Sequence, residues 1–377
     1  MSLSSIQDFL EPINIAHISN DEGYRDTQLG KHINVNEGNL PDIVDADIVI
    51  IGAGECRGAG HALHGHTAAN AIRTALYDLY YWHAQVNVVD IGNVKIGQSI
   101  QDSYAALRTV ISELLLQNKK VVIIGGAHDL TLAQYHAYTS IPTLVNAVVV
   151  DAKIDLDLEA RLPRDHFLEE LFTGLPNHLN HYSHIGFQSY FMHPHMLETI
   201  DKLRFDCFRL GVVRESIEEM EPVIRDSHMM SFDISAIQHA QAPANIITSN
   251  GFNGEEACVL MQYAGMSWKT STIGLFGYQA ELDHHGLTAI QMAQMIWYII
   301  DGVHRGKKEA PLTALDRFKE FHIAFSDIDT QFLQSKSTGR WWMKLHNEEW
   351  MPCSYKDYLV ASNNEIPERW LRALERE

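Results

Sequence analysis

The sequence predicts an α/β fold with a mostly parallel sheet, and two observations support this prediction. Eight short apolar runs alternate with longer amphipathic stretches, and several runs are continuous Val/Ile segments, typical of strands covered on both faces. Strands that alternate with helices pair in parallel through right-handed crossovers. Eight such strands fit either a closed barrel or an open sheet, and the periodicity does not separate the two. Both place functional loops at the carboxyl ends of the strands.

Local patterns predict the individual elements in chain order. The helix predicted over residues 67–80 has Ile72, Ala75 and Leu79 at helical spacing. The helix predicted over residues 99–117 stops at Asn118, because asparagine is a common residue just beyond a helix end. Further helices are predicted at residues 130–139, 255–265 and 287–305. The predicted strands are residues 47–51, 86–91, 120–124, 147–150, 184–187, 208–213, 228–232 and 271–276.

The C-terminal part differs in character from the rest. It carries Trp341, Trp342, Trp350 and Trp370 in a polar background, and so many tryptophans rarely remain in water. We therefore expect a single domain over residues 1–377, with a core at about 45–305. The extension at residues 306–377 is expected to pack on the core or on a neighbouring subunit, and residues 321–325 to add an edge strand.

Composition and charge exclude several classes of function. The 29 basic and 48 acidic residues give a net charge of −19, which repels phosphate backbones and anionic membranes, so we expect no nucleic-acid or membrane partner. The four cysteines are far apart, which argues against disulfides or a thiolate zinc site and suits the cytoplasm. The N-terminal segment lacks the pattern of a signal peptide. The most apolar long segment, residues 290–303, is too short and too polar to span a bilayer.

Other catalytic motifs are weak or missing. The GAGECR run follows a predicted strand, but Arg57 occupies the third glycine position of a dinucleotide-binding motif. The sequence contains no Walker A motif and no G-x-S-x-G nucleophile motif. Cys56 near His61, His64 and His66 suggests a thiol site, although a loop cysteine is more often incidental.

Three segments carry the strongest chemical signal: GGAHD at residues 125–129, DAKID at 151–155 and SFDIS at 231–235. Each lies at the end of a predicted strand. Carboxylates that gather at neighbouring strand ends repel one another unless a cation neutralises them. One imidazole with several carboxylates suits Mn²⁺, Zn²⁺ or another first-row ion better than Ca²⁺. We therefore predict a cluster that holds a divalent metal; the alternative is that the acids only cap helices or close an ion-pair network.

In this order the segments resemble the metal-binding signature of the arginase/agmatinase/formiminoglutamase (ureohydrolase) family, which reads G-G-D-H, D-A-H-x-D and S-x-D-x-D. The resemblance covers about residues 45–305. It implies an arginase-like, three-layer α/β/α fold around a mostly parallel eight-stranded sheet. It also implies a homo-oligomer, since relatives are often trimers or hexamers.

The resemblance implies a set of metal ligands, because the family binds a pair of manganese ions. The positions that match the first ion's ligands are all retained: His128, Asp151, Asp155 and Asp233. The second ion also needs a histidine and an aspartate, where this chain has Lys153 and Ser235. The resemblance thus implies at most one divalent ion, most readily Mn²⁺, with the second site lost. We expect the Lys153 ammonium to replace the second cation by binding Asp151 and Asp233.

Two further departures concern the substrate and proton transfer. The family holds a guanidinium with a late carboxylate, and Gln279 matches that position; Glu281 matches it only if the register shifts by two residues. The family also has a proton-transfer histidine in the loop after D-A-H-x-D, and His166 is the nearest candidate by spacing. The resemblance therefore implies Lys153 and His166 as catalytic residues and Gln279 as a substrate-binding residue.

Two functions remain open at this point. The first is a divergent hydrolase of a linear C–N bond in a small guanidino or formimino compound, with water activated at a single metal. The second is a non-catalytic protein that retained the arginase-like fold for binding or scaffolding. Two altered ligand positions, Lys153 and Ser235, are compatible with both.

Overall fold

The computed structural model describes residues 5–19, 23–325 and 328–376, and these are built around one large sheet. Residues 1–4, which open the segment predicted to lack a signal peptide, lie outside the described residues. Within the described ranges the sheet has ten strands: β1 (Leu10–Glu11), β2 (Asn34–Val35), β3 (Ile48–Gly52), β4 (Val88–Val94), β5 (Lys120–Ile124), β6 (Val145–Val150), β7 (Leu179–Phe187), β8 (Asp206–Arg209), β9 (Met229–Asp233) and β10 (Thr272–Phe276).

The predicted parallel sheet is confirmed, with two additional short strands. The order across the sheet is β1, β4, β3, β5, β10, β9, β6, β7 and β8, and β2 pairs with β4. Among the described strands of this sheet, only β1 is antiparallel, and it pairs Leu10 with Val94. The sheet exceeds the predicted eight strands because β1 and β2 have two residues each, too few to leave an apolar pattern in the sequence.

Helices cover both faces of the sheet, and the five that were predicted end near their predicted bounds. Ser99 caps the second helix by accepting the Asp102 N–H, and Asn118 follows its end with a left-handed φ of 54°. No helix within the described ranges is long and apolar enough to cross a membrane. The helices are α1 (Thr67–Tyr77), α2 (Ile100–Leu116), α3 (Thr131–His136), α4 (Phe167–Thr173), α5 (Pro194–Lys202), α6 (Leu210–Glu215), α7 (Met220–Arg225), α8 (Gly254–Met266) and α9 (Leu287–Gly306).

Alternate strand residues enter two separate hydrophobic cores. In β5, Val122 and Ile124 join the core that contains α1, α8 and α9. Val121 and Ile123 join the other core, with α2, α3 and α4. Strands that are apolar on both faces therefore lie between two helical layers, as their continuous Val/Ile runs indicate. The three-layer α/β/α prediction is confirmed, and the open sheet excludes the barrel.

One predicted strand is partly wrong. Residues 208–213 were expected to be extended, but β8 ends at Arg209 and α6 begins at Leu210. Of the apolar run that follows, Val213 is buried whereas Val212 is 61% exposed. A short apolar run does not distinguish a strand from a helix turn, and at the edge strand β8 the chain turns back onto the sheet as a helix.

The C-terminal extension forms its own antiparallel sheet. Its strands follow one another in space as β11 (Phe318–Phe325), β12 (Ile328–Ser335), β13 (Trp341–Lys344) and β14 (Trp350–Cys353), and the helices α10 (Tyr355–Ser362) and α11 (Glu368–Glu375) come next. The predicted strand at residues 321–325 exists within β11, but its expected place at the edge of the central sheet is wrong. β11 instead pairs along its whole length with β12, because a hairpin partner is close in the chain.

Buried arginines join the extension to the central domain. The Arg225 guanidinium in α7 lies 4.2 Å from the ring centroid of Trp342 and donates a 2.9 Å hydrogen bond to the Trp341 carbonyl. Arg340 Nη1 donates to the Met266 carbonyl at the end of α8 at 3.3 Å and lies 3.7 Å from Glu221 Oε1 in α7. These contacts hold the second sheet against the core of the same chain.

Candidate metal centre and cleft

The three motifs meet at the carboxyl edge of the central sheet. GGAHD follows β5, DAKID follows β6 and SFDIS includes the end of β9; β6 and β9 are paired, and β10 lies between β9 and β5. Gly125 and Gly126 are left-handed, with φ of 84° and 82°. A Cβ on Gly125 would lie 2.8 Å from the Ala53 carbonyl oxygen. Glycine therefore permits the tight turn that brings His128 over the strand ends.

His128 is the centre of a compact cluster. Its Nδ1 lies 3.0 Å from Asp151 Oδ2, 2.9 Å from Asp155 Oδ2 and 3.9 Å from Asp233 Oδ2. One ligand atom each from His128, Asp151 and Asp155 lie within 4.8 Å of one another. The other ring nitrogen, Nε2, is 3.1 Å from Ser231 Oγ, which orients the ring. The four side chains predicted as ligands of one ion are therefore adjacent.

The electrostatics of this buried cluster favour a bound cation. Burial disfavours charge on His128, but hydrogen bonds with Asp151 and Asp155 raise the pKa of its imidazole well above the ordinary value. Burial opposes ionisation of Asp151, yet hydrogen bonds from His128 and Ser235 hold the pKa of its carboxyl below the usual range. Burial and the charge of Asp151 raise the pKa of Asp155 and of Asp233. A single imidazole cannot neutralise three carboxylates, and this donor set fits a divalent first-row cation.

Ser235 binds the remaining oxygens of two cluster carboxylates. Its hydroxyl donates to Asp151 Oδ1, and its backbone N–H donates to Asp233 Oδ1 at 2.7 Å. The backbone N–H of Lys153 also donates to Asp151 Oδ1, at 3.1 Å. Both carboxylates therefore direct Oδ2 toward His128, while hydrogen bonds within the chain occupy Oδ1.

Lys153 does not form the ion pairs predicted for it. Its side chain is half-buried, and within the described part of the chain its ammonium pairs with neither Asp151 nor Asp233. The prediction that the Lys153 ammonium replaces the second metal ion is therefore wrong. The physical reason is that Ser235 already supplies donors to the oxygens concerned, so no unpaired oxygen is left to attract the lysine.

A narrow cleft of about 50 Å³ adjoins the cluster. Gln279, predicted to bind substrate, lines it, as do His128 and Asp233. Arg164, which also lines the cleft, was not predicted as a site residue, and His61 was predicted only beside Cys56 as part of a thiol site. The other lining residues that carry polar side chains are Cys56, Ser235, Asn245 and Tyr278.

His61 and Gln279 form a neutral pair inside the cleft. Their Nε2 atoms are 2.6 Å apart. Burial first, and then the charge of Arg164, lower the pKa of His61, so its imidazole is neutral at neutral pH. Glu281, the alternative match to the family carboxylate, accepts instead from the Thr67 hydroxyl at 3.1 Å. The cleft therefore presents an amide where the resemblance implies a carboxylate.

Two other residues that the sequence suggested as site residues are His166 and Cys56. His166 immediately precedes α4, is half-buried and is not among the described residues that line the cleft; Arg164, two residues earlier, is. Spacing locates the loop but not which of its side chains faces the cluster. Cys56 donates to the Ala62 carbonyl at 2.9 Å, and burial together with Glu55 raises the pKa of its thiol, which argues against a thiolate nucleophile.

Comparison with known proteins identifies the family. A model described as the Arginase family matches residues 46–301, and a search of curated protein sequences gives no match. A formimidoylglutamase structure from Bacillus subtilis is 17% identical, with a TM-score of 0.66 over 77% of this chain and 96% of its own. A Trypanosoma cruzi formiminoglutamase structure with Mn²⁺ is 15% identical, with a TM-score of 0.63 over 71% of this chain and 99% of its own.

An agmatine ureohydrolase structure from Thermoplasma volcanium is 17% identical, with a TM-score of 0.61 over 76% of this chain and 98% of its own. At such identities the structural likeness establishes the fold and leaves the activity to be argued from the site. The family model covers more than half of the sequence and includes all three motifs. This chain therefore belongs to the arginase family.

Proposed function

We propose that this protein is a divergent arginase-family hydrolase that cleaves a linear amidine C–N bond, in a guanidino or formimino compound, with at most one metal ion. One observation carries the proposal: His128 Nδ1 lies within 4 Å of three buried carboxylates at adjoining strand ends. The ligands proposed for one ion, with Mn²⁺ favoured by the family and the donor set, are His128, Asp151, Asp155 and Asp233.

The chemical roles follow from the positions of the side chains. A divalent ion in this site would supply Lewis acidity and lower the pKa of water. The chain's own contribution is to hold the ligands rigidly, through Ser231 on His128 and Ser235 on Asp151. The cleft confines the substrate beside the cluster, and Gln279 offers amide hydrogen bonds to its amidine. A catalytic role for Lys153, and proton transfer by His166, stay predictions.

Loss of the second metal site is part of this proposal. The positions that the family fills with a histidine and an aspartate hold Lys153 and Ser235. Lysine does not bind a metal as an ammonium, and serine brings no negative charge. Ser235 also donates to the Oδ1 atoms of Asp151 and Asp233, the atoms available for a second ion. One ion provides less activation of water than a bridged pair, so slow turnover is expected.

A non-catalytic role is the second candidate, and the neutral cleft favours it. Gln279 and His61 bind each other where a carboxylate would hold a guanidinium, so an amidine is bound less tightly than in relatives. A protein that kept the fold for binding or scaffolding would tolerate this change. For either function we propose a small-molecule ligand, a homo-oligomer and a cytoplasmic location, on the grounds of the acidic surface, the dispersed cysteines and the family.

A hydrolysis screen tests the proposal. The protein is soaked in Mn²⁺ and incubated with a panel of guanidino and formimino compounds, and released ammonia and urea are measured. We expect release that falls roughly 100-fold in His128→Asn, because loss of a ligand weakens metal binding. Asp157→Asn is the matched control, since Asp157 is an exposed acid in the same loop as Asp155. Release that persists in His128→Asn would contradict the metal assignment, and no release from any compound would favour the non-catalytic role.

A further inference from the structure

The C-terminal sheet has one long edge without a partner. β11 is an outermost strand of this sheet, and it pairs with β12 in an unbroken register from Phe318↔Ser335 to Phe325↔Ile328. On its other side, no backbone group of residues 318–325 bonds to any part of the chain that the structure describes. A row of unpaired N–H and C=O groups at the edge of a sheet is a template for a further strand.

The backbone groups of β11 point alternately to its two sides. The Lys336 N–H donates to the Arg317 carbonyl at 3.0 Å, so this pair continues the ladder between β11 and β12 as a hydrogen-bonded pair. Hydrogen-bonded and non-hydrogen-bonded pairs alternate along an antiparallel ladder. Glu320, His322 and Ala324 therefore direct their N–H and C=O groups away from β12, and all three residues are exposed.

The opposite edge of the same sheet is protected from pairing. β14 lies against α7, and Arg225 in α7 donates to the Cys353 carbonyl at 3.3 Å. The Leu345 N–H donates to the Glu349 carbonyl at 2.8 Å, so by the same alternation Pro352 faces the outer side, where it offers no N–H. A proline, a short strand or a covering element commonly protects an edge. β14 has four residues, whereas β11 has eight and contains no proline, glycine or bulge.

The sequence of β11 complements itself in one antiparallel register. With a two-fold axis at Phe321, Glu320 of each copy lies opposite His322 of the other, and the outward backbone groups of these residues meet. His322 Nδ1 is 3.5 Å from Gln331 Nε2, so the other ring nitrogen of His322 is left to donate to the carboxylate. An axis at Glu320 would place two carboxylates opposite each other, which is destabilising. An axis at His322 would leave Glu320 opposite Ala324.

We propose that two copies of this chain associate by antiparallel pairing of β11 with β11, with Phe321 at the two-fold axis. The partner is a second copy because the strand matches itself both in charge and in the direction of its backbone groups. The pairing joins two four-stranded sheets into one continuous sheet. The inference does not depend on the proposed hydrolase function. It also goes beyond the homo-oligomer expected from the family, because β11 lies outside residues 46–301, which match the family.

A disulfide at the axis tests this register. Residue 321 would face its own copy as a non-hydrogen-bonded pair with a Cα separation of about 4.5 Å, which a disulfide can span. After mild oxidation, we expect most of the full-length Phe321→Cys protein to migrate as a covalent dimer on a denaturing gel, and as a single chain after reduction. Ile323→Cys is the matched control, because Ile323 is half-buried on the same face of β11 but lies opposite Lys319 of the second copy. The wild-type chain controls for its four free cysteines.

Charge reversal at exposed positions supplies a second measurement that leaves the core unaltered. His322→Glu places a carboxylate opposite Glu320 and should weaken the association, measured by sedimentation equilibrium, roughly tenfold. Adding Glu320→Lys to that variant should restore it. Three results would each overturn the inference: a Phe321→Cys protein that stays a single chain, equal crosslinking of Ile323→Cys, or an association that His322→Glu leaves unchanged. Any oligomer that remained would then use another surface, and a monomer would leave this edge to a strand of another protein.

Discussion

Replacing Arg73 with methionine is expected to destabilise the fold by about 3 kcal/mol. Arg73 is fully buried in α1, and its Nε and Nη2 donate to the two carboxylate oxygens of Asp90 in β4 at 2.8 and 3.0 Å. Removing one partner of a buried ion pair costs about 3–5 kcal/mol, because the other charge is left unpaired. Asp90 keeps donors from the Tyr77 hydroxyl and the Gly92 N–H, so we place the loss at the lower end of that range.

Urea denaturation followed by circular dichroism measures this loss. Arg204→Met is the control, because the 3.3 Å ion pair of Arg204 with Glu375 is exposed and contributes less than about 1 kcal/mol. The expected order of midpoints is therefore wild type, then the control close to it, then Arg73→Met well below. If the urea midpoint of Arg73→Met were as high as that of Arg204→Met, the ion pair between Arg73 and Asp90 would not be what holds α1, and the cleft loop before it, against the sheet.

Three further perturbations test single contacts. Burial lowers the pKa of His228 from 6.5 to about 4, so the unfolded chain binds more protons than the folded chain between these two pH values. The free energy of unfolding should therefore fall by about 2 kcal/mol as pH drops through this window, a figure reduced because solvent reaches part of the ring. His228→Asn should flatten this part of a curve of unfolding free energy against pH. Trp342→Ala removes the ring beside the Arg225 guanidinium and should lower the free energy of unfolding, measured by thermal denaturation, by about 3–5 kcal/mol. A decrease below about 1 kcal/mol would contradict the packing role of this ring. Gln279→Glu adds a carboxylate beside His61 and should raise the pKa of that imidazole, measured by NMR titration; an unmoved pKa would show that the pair at 2.6 Å does not form.

The central sheet was predictable because its strands are apolar on both faces. In β5 the residues from Val121 to Ile124 are all fully buried, so the strand is a continuous apolar run without polar residues in alternate positions. The two-residue strands β1 and β2 lack such a signal, since their place depends on pairing with β4 rather than on composition. The strand at residues 321–325 was assigned to the wrong sheet for a similar reason, because an apolar strand in the sequence does not reveal which sheet it joins.

The site was predictable in its loops but not in its contacts. Motif order at strand ends is sufficient to bring His128, Asp151 and Asp155 together, because parallel strands end at one edge of the sheet. The contact between Ser235 and Asp151 joins residues 84 positions apart, so no local pattern predicts it. No local pattern therefore predicts that the Lys153 ammonium lacks an ion pair with the aspartates of the described chain. Which side chain of the 151–166 loop enters the cleft depends on the path of the loop, and spacing does not determine that path.

The number of metal ions that each chain binds can be counted from the manganese content of the purified protein. The protein is soaked in Mn²⁺, separated from free metal and analysed by mass spectrometry beside Asp155→Asn and the double variant Lys153→His with Ser235→Asp. We expect one ion per chain in the wild type, a loss of that ion in Asp155→Asn and two ions in the double variant. Two ions per chain in the wild type, or none, would contradict the assignment of a single metal site to His128, Asp151, Asp155 and Asp233.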